Sequence, residues 1–406
     1  MQHQLKTLAV IRHGQLCLWV KQIKENRMIF GSKKLSKMVA ISALSAALGA
    51  VLFTTSATAS EIKYMERIAP AYRDGASANM LSLTSLEDVK NFTKNFKEEF
   101  GTIKPEIIKV PNEFEQGEVE VSLYRPQACT EPSDKCPVYE DVAVKQDRRM
   151  DRPLVVFLHG GGFLLRNAYY ISNYYQTIAN TLQANVIVPK YRLSTEKPFP
   201  AQLHDSYSAL TYFYQNADKY RINTDAIVLM GESAGGGLAA GMSIFNRDHY
   251  DFPIAGQVLT YPMLDYRTGT NEVVKAEKTG EVLWTPESNV FAWSQYGDAK
   301  EVAKMAPDAR KKLIQKSDYL GYFSPTFAQD LSNMPASFIY VGDIDLFVNE
   351  SLNFANQLVN AGNEVELHVE NGVYHCFDYI VPGADESAKY RKALFNFMAD
   401  RMYGVH

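Results

Sequence analysis

Cysteine is scarce, at 4 of 406 residues. That excludes a disulfide-dense scaffold, and no second Cys/His pair stands near the Cys129/Cys136 spacing to suggest a zinc site. Charge of one sign is lacking too, since 42 basic residues face 46 acidic ones and leave a net −4. No basic footprint for nucleic acid results. Internal repeats and low-complexity tracts are missing as well. What is there, 46% hydrophobic and 22% charged residues, describes a globular chain with a large core.

Long apolar runs are limited to one, Met38 to Thr55. It follows Lys33, Lys34 and Lys37 and leads into Ala57-Thr58-Ala59, a small-x-small pattern before Ser60. This is the layout of a secretory signal peptide, so residues 1–59 read as a leader and the mature chain as an exported, periplasmic or secreted protein with no stable membrane span. The rival reading is an anchor formed by uncleaved residues 38–55. Residues 1–27 have a mixed polarity that fits no ordinary n-region, which places the true start at Met28 or Met38. Export would also let Cys129 and Cys136, which bracket "TEPSDK", close as a loop disulfide; two free thiols are the alternative.

Residues 60–104 read as a helical N-terminal cap segment, with Ser85-Leu86-Glu87-Asp88 as a helix start. From 105 to 406 short β-rich runs alternate with helical ones. The strand candidates are "EIIKV", "EVEVSLY", "LVVFLHG", "NVIVP", "AIVLM", "GQVLTY", "SFIYVG" and "VELHV". Helices are expected at about 170–183, 200–218, 234–246, 347–361 and 384–402. Such alternation predicts an α/β fold, with a mostly parallel eight-stranded sheet covered by helices on both faces. Residues 127–150 form a charged insertion. Residues 266–335, carrying Trp284, Phe291, Trp293 and Tyr296 without a clear strand, read as a cap insertion over one end of the sheet.

Gly231-Glu232-Ser233-Ala234-Gly235 lies between a strand and a helix, where small flanking residues allow a tight turn that lifts the serine hydroxyl out of the fold. A serine hydroxyl is a poor nucleophile at neutral pH and needs a base and an anion site. The anion site is sought in "FLHGGGF", where His159 and Gly160 to Gly162 end a strand and backbone N–H groups can approach a carbonyl. The N–H groups of Gly161, Gly162 and Ala234 are the candidates. A phosphate loop is the competing reading, but the stretch has neither a Gly-Lys-Ser/Thr ending nor G-x-G-x-x-G spacing.

His375, in "NGVYHCFD", follows a strand through an Asn-Gly turn near the C-terminus, where a Ser, acid, His order places the base. His204, His249 and His368 lie on or after helices or within a strand. The orienting carboxylate is sought at the end of "SFIYVGDIDLFVNE", which offers both Asp343 and Asp345. Arg192 and Asp205 read as a structural ion pair bracketing "STEKPFP". The tyrosines of "NAYYISNYY" read either as pocket lining or as core. Neither a metal nor an organic cofactor is required by these residues.

These pieces resemble the hormone-sensitive-lipase-like branch of the α/β-hydrolases, which includes bacterial esterases and arylacetamide deacetylases. The matching stretches are "HGGGF" at 159–163, "YRLSTEKPFPAQLHD" at 191–205, "GESAGGG" at 231–237, "SPTFAQDLSNMPASFIYVGDIDLFVNE" at 324–350 and "YHCFD" at 374–378. The resemblance implies Asp345 rather than Asp343, because the family's acid opens a segment reaching a Glu five positions on, here Glu350. It implies a catalytic triad of Ser233, Asp345 and His375 and a serine carboxylesterase acting on short- to medium-chain acyl esters, small molecules bound under a helical cap. A deacetylase or amidase acting on one metabolite or xenobiotic is the alternative. A non-catalytic receptor, like the plant gibberellin receptors similar to this family, is the remote one. Two departures stand out: Glu232 where the family more often has Asp or Thr, and Cys376 where a small residue is usual.

Overall fold

A computed structural model describes residues 62–78, 82–94, 103–128, 133, 136–144, 151–166, 171–305 and 319–404. Eight strands form one sheet: β1 (Glu106–Pro111), β2 (Glu118–Tyr124), β3 (Arg152–Leu158), β4 (Asn185–Pro189), β5 (Ile222–Glu232), β6 (Gly256–Thr260), β7 (Ser337–Gly342) and β8 (Val365–Glu370). Their order is β1-β2-β4-β3-β5-β6-β7-β8. β2 pairs antiparallel with β1 and β4, and every pairing from β4 through to β8 is parallel. All eight expected strands form, and so do the five expected helices, at Ser172–Leu182, Ala201–Gln215, Ala234–His249, Val348–Asn360 and Asp385–Tyr403.

The unalternating apolar runs have a direct cause, because successive side chains of a strand enter opposite layers. In β3, Leu154, Val156 and Leu158 join one core while Val155 and Phe157 join the other, and in β5 Ile227 and Leu229 split from Val228 and Met230 in the same way. The first layer is covered by Leu203, Tyr207, Leu210 and Phe213 of the helix Ala201–Gln215 and by Leu238, Met242 and Phe245 of the next. The second is covered by Tyr175, Ile178 and Leu182 and by Tyr390, Leu394 and Met398 of the C-terminal helix. Tyr174 and Tyr175 therefore belong to core packing; residues 167–170 of the same tyrosine-rich stretch lie outside the described residues.

The expected N-terminal helicity takes the form of short pieces: 3₁₀ turns at Met65–Arg67 and Pro70–Tyr72, then helices at Arg73–Ala78 and Leu86–Thr93. Ser85 caps the last, its hydroxyl accepting from the Asp88 N–H at 3.1 Å. Among the described residues between β6 and β7 there is no strand, and helices occupy Pro286–Tyr296, Ala299–Val302 and Tyr319–Phe323. Residues 1–61, and with them the apolar run 38–55, lie outside the described residues. Among those described, no helix is long and apolar enough to cross a membrane.

Candidate active site

β5 ends at Glu232 and the helix Ala234–His249 begins two residues later, leaving Ser233 alone in the turn at φ 55° and ψ −123°. The flanking glycines are required by space. A Cβ on Gly231 would lie 2.0 Å from the Gly235 carbonyl oxygen, and one on Gly235 would lie 2.0 Å from that of Leu158. The strand, helix and neighbouring β3 thus close on each other at backbone contact. Ser233 is held on the crest by its own N–H, which donates to the Thr260 carbonyl at 2.9 Å.

The loop after β8 brings His375 to this serine. Ser233 Oγ lies 2.9 Å from His375 Nε2, and His375 Nδ1 lies 2.8 Å from Asp345 Oδ2. All three side chains are buried. The other Asp345 oxygen accepts the Phe347 N–H at 2.9 Å, which fixes the carboxylate's orientation. Asp343 goes elsewhere: it accepts the Gly372 N–H at 2.7 Å and pairs with Arg67, pinning the turn that leads to His375. Ser233, Asp345 and His375 are therefore brought together, and Asp343 is not among them.

The glycine loop after β3 lies alongside. Gly161 has φ +112° and Gly162 φ +60°, and among the described residues neither N–H donates to a backbone carbonyl. The Ala234 N–H starts its helix, where no intrahelical acceptor exists. His159 supports this loop from below and is fully buried. Its Nδ1 lies 2.8 Å from the Gly160 carbonyl oxygen and its ring stacks on Tyr191 at 4.2 Å. Burial pushes its pKa down to about 4, so the imidazole is neutral. The other described histidines are engaged away from the serine: His204 stacks on Phe114, His249 meets the Tyr322 hydroxyl and His368 meets Glu366.

Residues 155–379 match a protein family defined by the α/β-hydrolase fold. The chain belongs to this family. Within it, carboxylesterase NlhH of Mycobacterium tuberculosis is 30% identical over 59% of this chain and 72% of its own length. A relative in Acanthamoeba polyphaga mimivirus, named for the α/β-hydrolase fold, is 27% identical over 57% of this chain, a match that spans 62% of the viral protein. A solved structure of an esterase from Pyrobaculum calidifontis superposes with a TM-score of 0.63 at 27% identity, covering 82% of this chain and 98% of the other. These relatives place the chain in the hormone-sensitive-lipase-like branch.

In this α/β-hydrolase-fold protein further polar groups hold the loop that carries His375. Tyr261 packs edge-on against His375 at 4.8 Å, and its hydroxyl donates to Asp378 at 2.9 Å. The Tyr379 hydroxyl donates to Glu232 at 2.6 Å, tying the segment after the histidine to the residue before the serine. Burial raises Asp378 to about 6 and drives Glu232 well above the ordinary carboxylate range, with Asp378 adding to the effect on Glu232. Burial, the largest single effect, works against a charge on His375, but the Asp345 carboxylate together with Cys376 more than offsets it and raises the imidazole well above its ordinary value. Cys376, the free cysteine among the described residues, has its thiol pushed up by burial.

Glu350 accepts the Leu264 N–H at 2.5 Å and the Thr268 hydroxyl. Arg192 meets Asp205 through Nε at 2.9 Å and Nη2 at 2.7 Å and also reaches Glu115, the structural pairing expected for it. Sequence reasoning missed Arg67, Tyr261, Asp378 and Tyr379. Asp378 and Tyr379 were within reach, standing three and four residues after the histidine. Cys136 is disulfide-bonded, and its expected partner Cys129 lies outside the described residues.

Proposed function

We propose that this protein is a serine carboxylesterase that hydrolyses short- to medium-chain acyl esters through an acyl-enzyme. The observation that carries the reading is the continuous hydrogen-bonded series Ser233–His375–Asp345 beside the glycine loop, whose Gly161 and Gly162 N–H groups donate to no backbone carbonyl among the described residues. Ser233 Oγ attacks the ester carbonyl as its proton passes to His375 Nε2, while the Asp345 carboxylate holds the Nδ1–H tautomer and stabilises the imidazolium. The oxyanion is received by the N–H groups of Gly161, Gly162 and Ala234. His375 then protonates the departing alkoxide, and a water attacks the acyl-enzyme with the same imidazole as base. The carboxylesterase and esterase names of the relatives support this choice of bond.

The test uses the mature chain from Ser60, as wild type and as Ser233→Ala, against nitrophenyl esters of two to sixteen carbons. Wild type should turn over the short esters, and the variant should lose on the order of 10⁴-fold or more. Equal rates in the two proteins would defeat the reading.

A further inference from the structure

Trp284 stands beside the triad and takes no part in the chemistry above. A Cβ on Gly162 would lie 2.2 Å from its Cη2 and 2.7 Å from its Cζ2, so the benzenoid edge of the indole rests on the Gly162 backbone. The same ring lies 6.5 Å, centroid to centroid, from the His375 imidazole. An ester carbonyl attacked by Ser233 and held by the Gly162 N–H lies beside both of the groups the indole borders, Gly162 and His375. The indole is therefore a wall of the space the substrate enters, and it is itself buried.

That wall is held in place. Trp284 Nε1 donates to Asn289 Oδ1 at 3.0 Å, Asn289 Nδ2 donates to the Thr268 carbonyl at 2.7 Å, and the Thr268 hydroxyl donates to Glu350. Thr285 and Pro286, directly after the tryptophan, start the helix that carries Asn289, with the Thr285 hydroxyl accepting from the Ser288 N–H at 3.3 Å. On the other side, the Gly280 N–H donates to the Ile344 carbonyl at 3.2 Å, one residue before Asp345. The ring is thus fixed at both ends of its segment and through its own N–H. A flat ring so anchored does not slide aside as a methionine would.

We propose that Trp284 is a specificity-determining residue that sets the upper size limit of the ester admitted to Ser233, with Asn289 as the residue that positions it. The proposal rests on the ester-hydrolase reading above and gives that site its substrate class: compact esters, whose acyl and alcohol groups stop short of the indole. A pocket wall discriminates by roughly 10- to 200-fold for a misfit of one methylene.

The experiment compares wild type, Trp284→Ala, Trp284→Phe and Asn289→Leu with nitrophenyl esters of increasing acyl length and acetate esters of increasing alcohol size. Folding is followed by thermal melts, and Ser233 is titrated with a small fluorophosphonate. The ratio of kcat/KM for long over short esters should rise about tenfold or more in Trp284→Ala, through KM for the long esters. The rise should be smaller in Trp284→Phe and Asn289→Leu. An unchanged ratio in the folded variants, or an equal fall on every ester with labelling retained, would overturn the proposal. A wild type that neither labels nor hydrolyses any ester would instead overturn the esterase reading, and this inference with it.

Discussion

Asp345 and Asp343 stand two residues apart at the end of one strand, yet only Asp345 faces His375. Burial disfavours an imidazolium there, but that carboxylate, helped by Cys376, leaves the imidazole raised well above its ordinary value, so the acid limb of kcat/KM should lie above the range of an ordinary histidine. Activity then falls as pH drops through that limb, because a protonated His375 cannot accept the serine proton. Asp345→Asn removes the charge and the correct tautomer together. It should move the limb to lower pH while cutting kcat by roughly 10⁴-fold, and a pH–rate profile reads both effects. A limb that stays in place would show that Asp345 does not govern the imidazole. Beside it, Cys376 holds φ +57°, a backbone conformation glycine adopts freely. Its raised thiol pKa keeps it protonated at neutral pH. Iodoacetamide should therefore label wild type slowly at pH 7.5, and Cys376→Gly should keep activity within a few-fold; rapid labelling with loss of activity would contradict this.

At the scale of the element, the turn between β5 and its helix concentrates the constraints. Its glycines were legible in the sequence because a Cβ at either would come within 2.0 Å of a neighbouring carbonyl oxygen, which leaves no alternative residue. The strands were legible for a related reason, since burial on both faces forces apolar runs such as Leu154–Leu158. The groups that hold the turn were not. Glu232 meets Tyr379, Asp343 meets Arg67 and Gly162 meets Trp284 across long stretches of sequence, and no local pattern encodes such partners. Glu232 also carries a testable cost. Its folded-state pKa is raised, chiefly by burial, so the native protein keeps a proton that the unfolded chain releases above a pKa of about 4.3. Stability is therefore fully present below that pH and declines as pH rises toward the folded-state pKa. Glu232→Gln keeps an acceptor for the Tyr379 hydroxyl and removes the titration. Its melting temperature relative to wild type should increase between pH 5 and pH 7.5, and a pH-independent difference would show that Glu232 does not titrate between the two states.

For the whole molecule, topology gathers the site: the glycine loop follows β3, Ser233 follows β5, Asp345 follows β7 and His375 follows β8, all at the carboxyl ends of parallel strands. The insertion after β2 lies outside this logic and is fastened to the helix Ser172–Leu182. Gln127 N–H donates to Asn180 at 2.8 Å, Asn180 donates to the Pro137 carbonyl at 3.0 Å, and Val144 N–H donates to the Thr181 carbonyl at 2.8 Å. Within the insertion Cys136 is disulfide-bonded, and such bonds persist in oxidising compartments. We therefore infer that the chain is exported and that Cys129 is the partner. Cleavage before Ser60 should give a mature N-terminus there in the periplasmic or secreted fraction, whereas residues 38–55 retained in a membrane fraction would favour the anchor. Non-reducing peptide mapping should recover a Cys129–Cys136 peptide. Because closing a short loop constrains the unfolded chain, replacing both cysteines by serine should cost about 2 kcal/mol and lower the melting temperature by roughly 3 °C. Dithiothreitol should lower the wild-type melt by the same amount and leave the double variant unmoved. An equal response of both proteins to the reductant would show that the shift does not come from this bond.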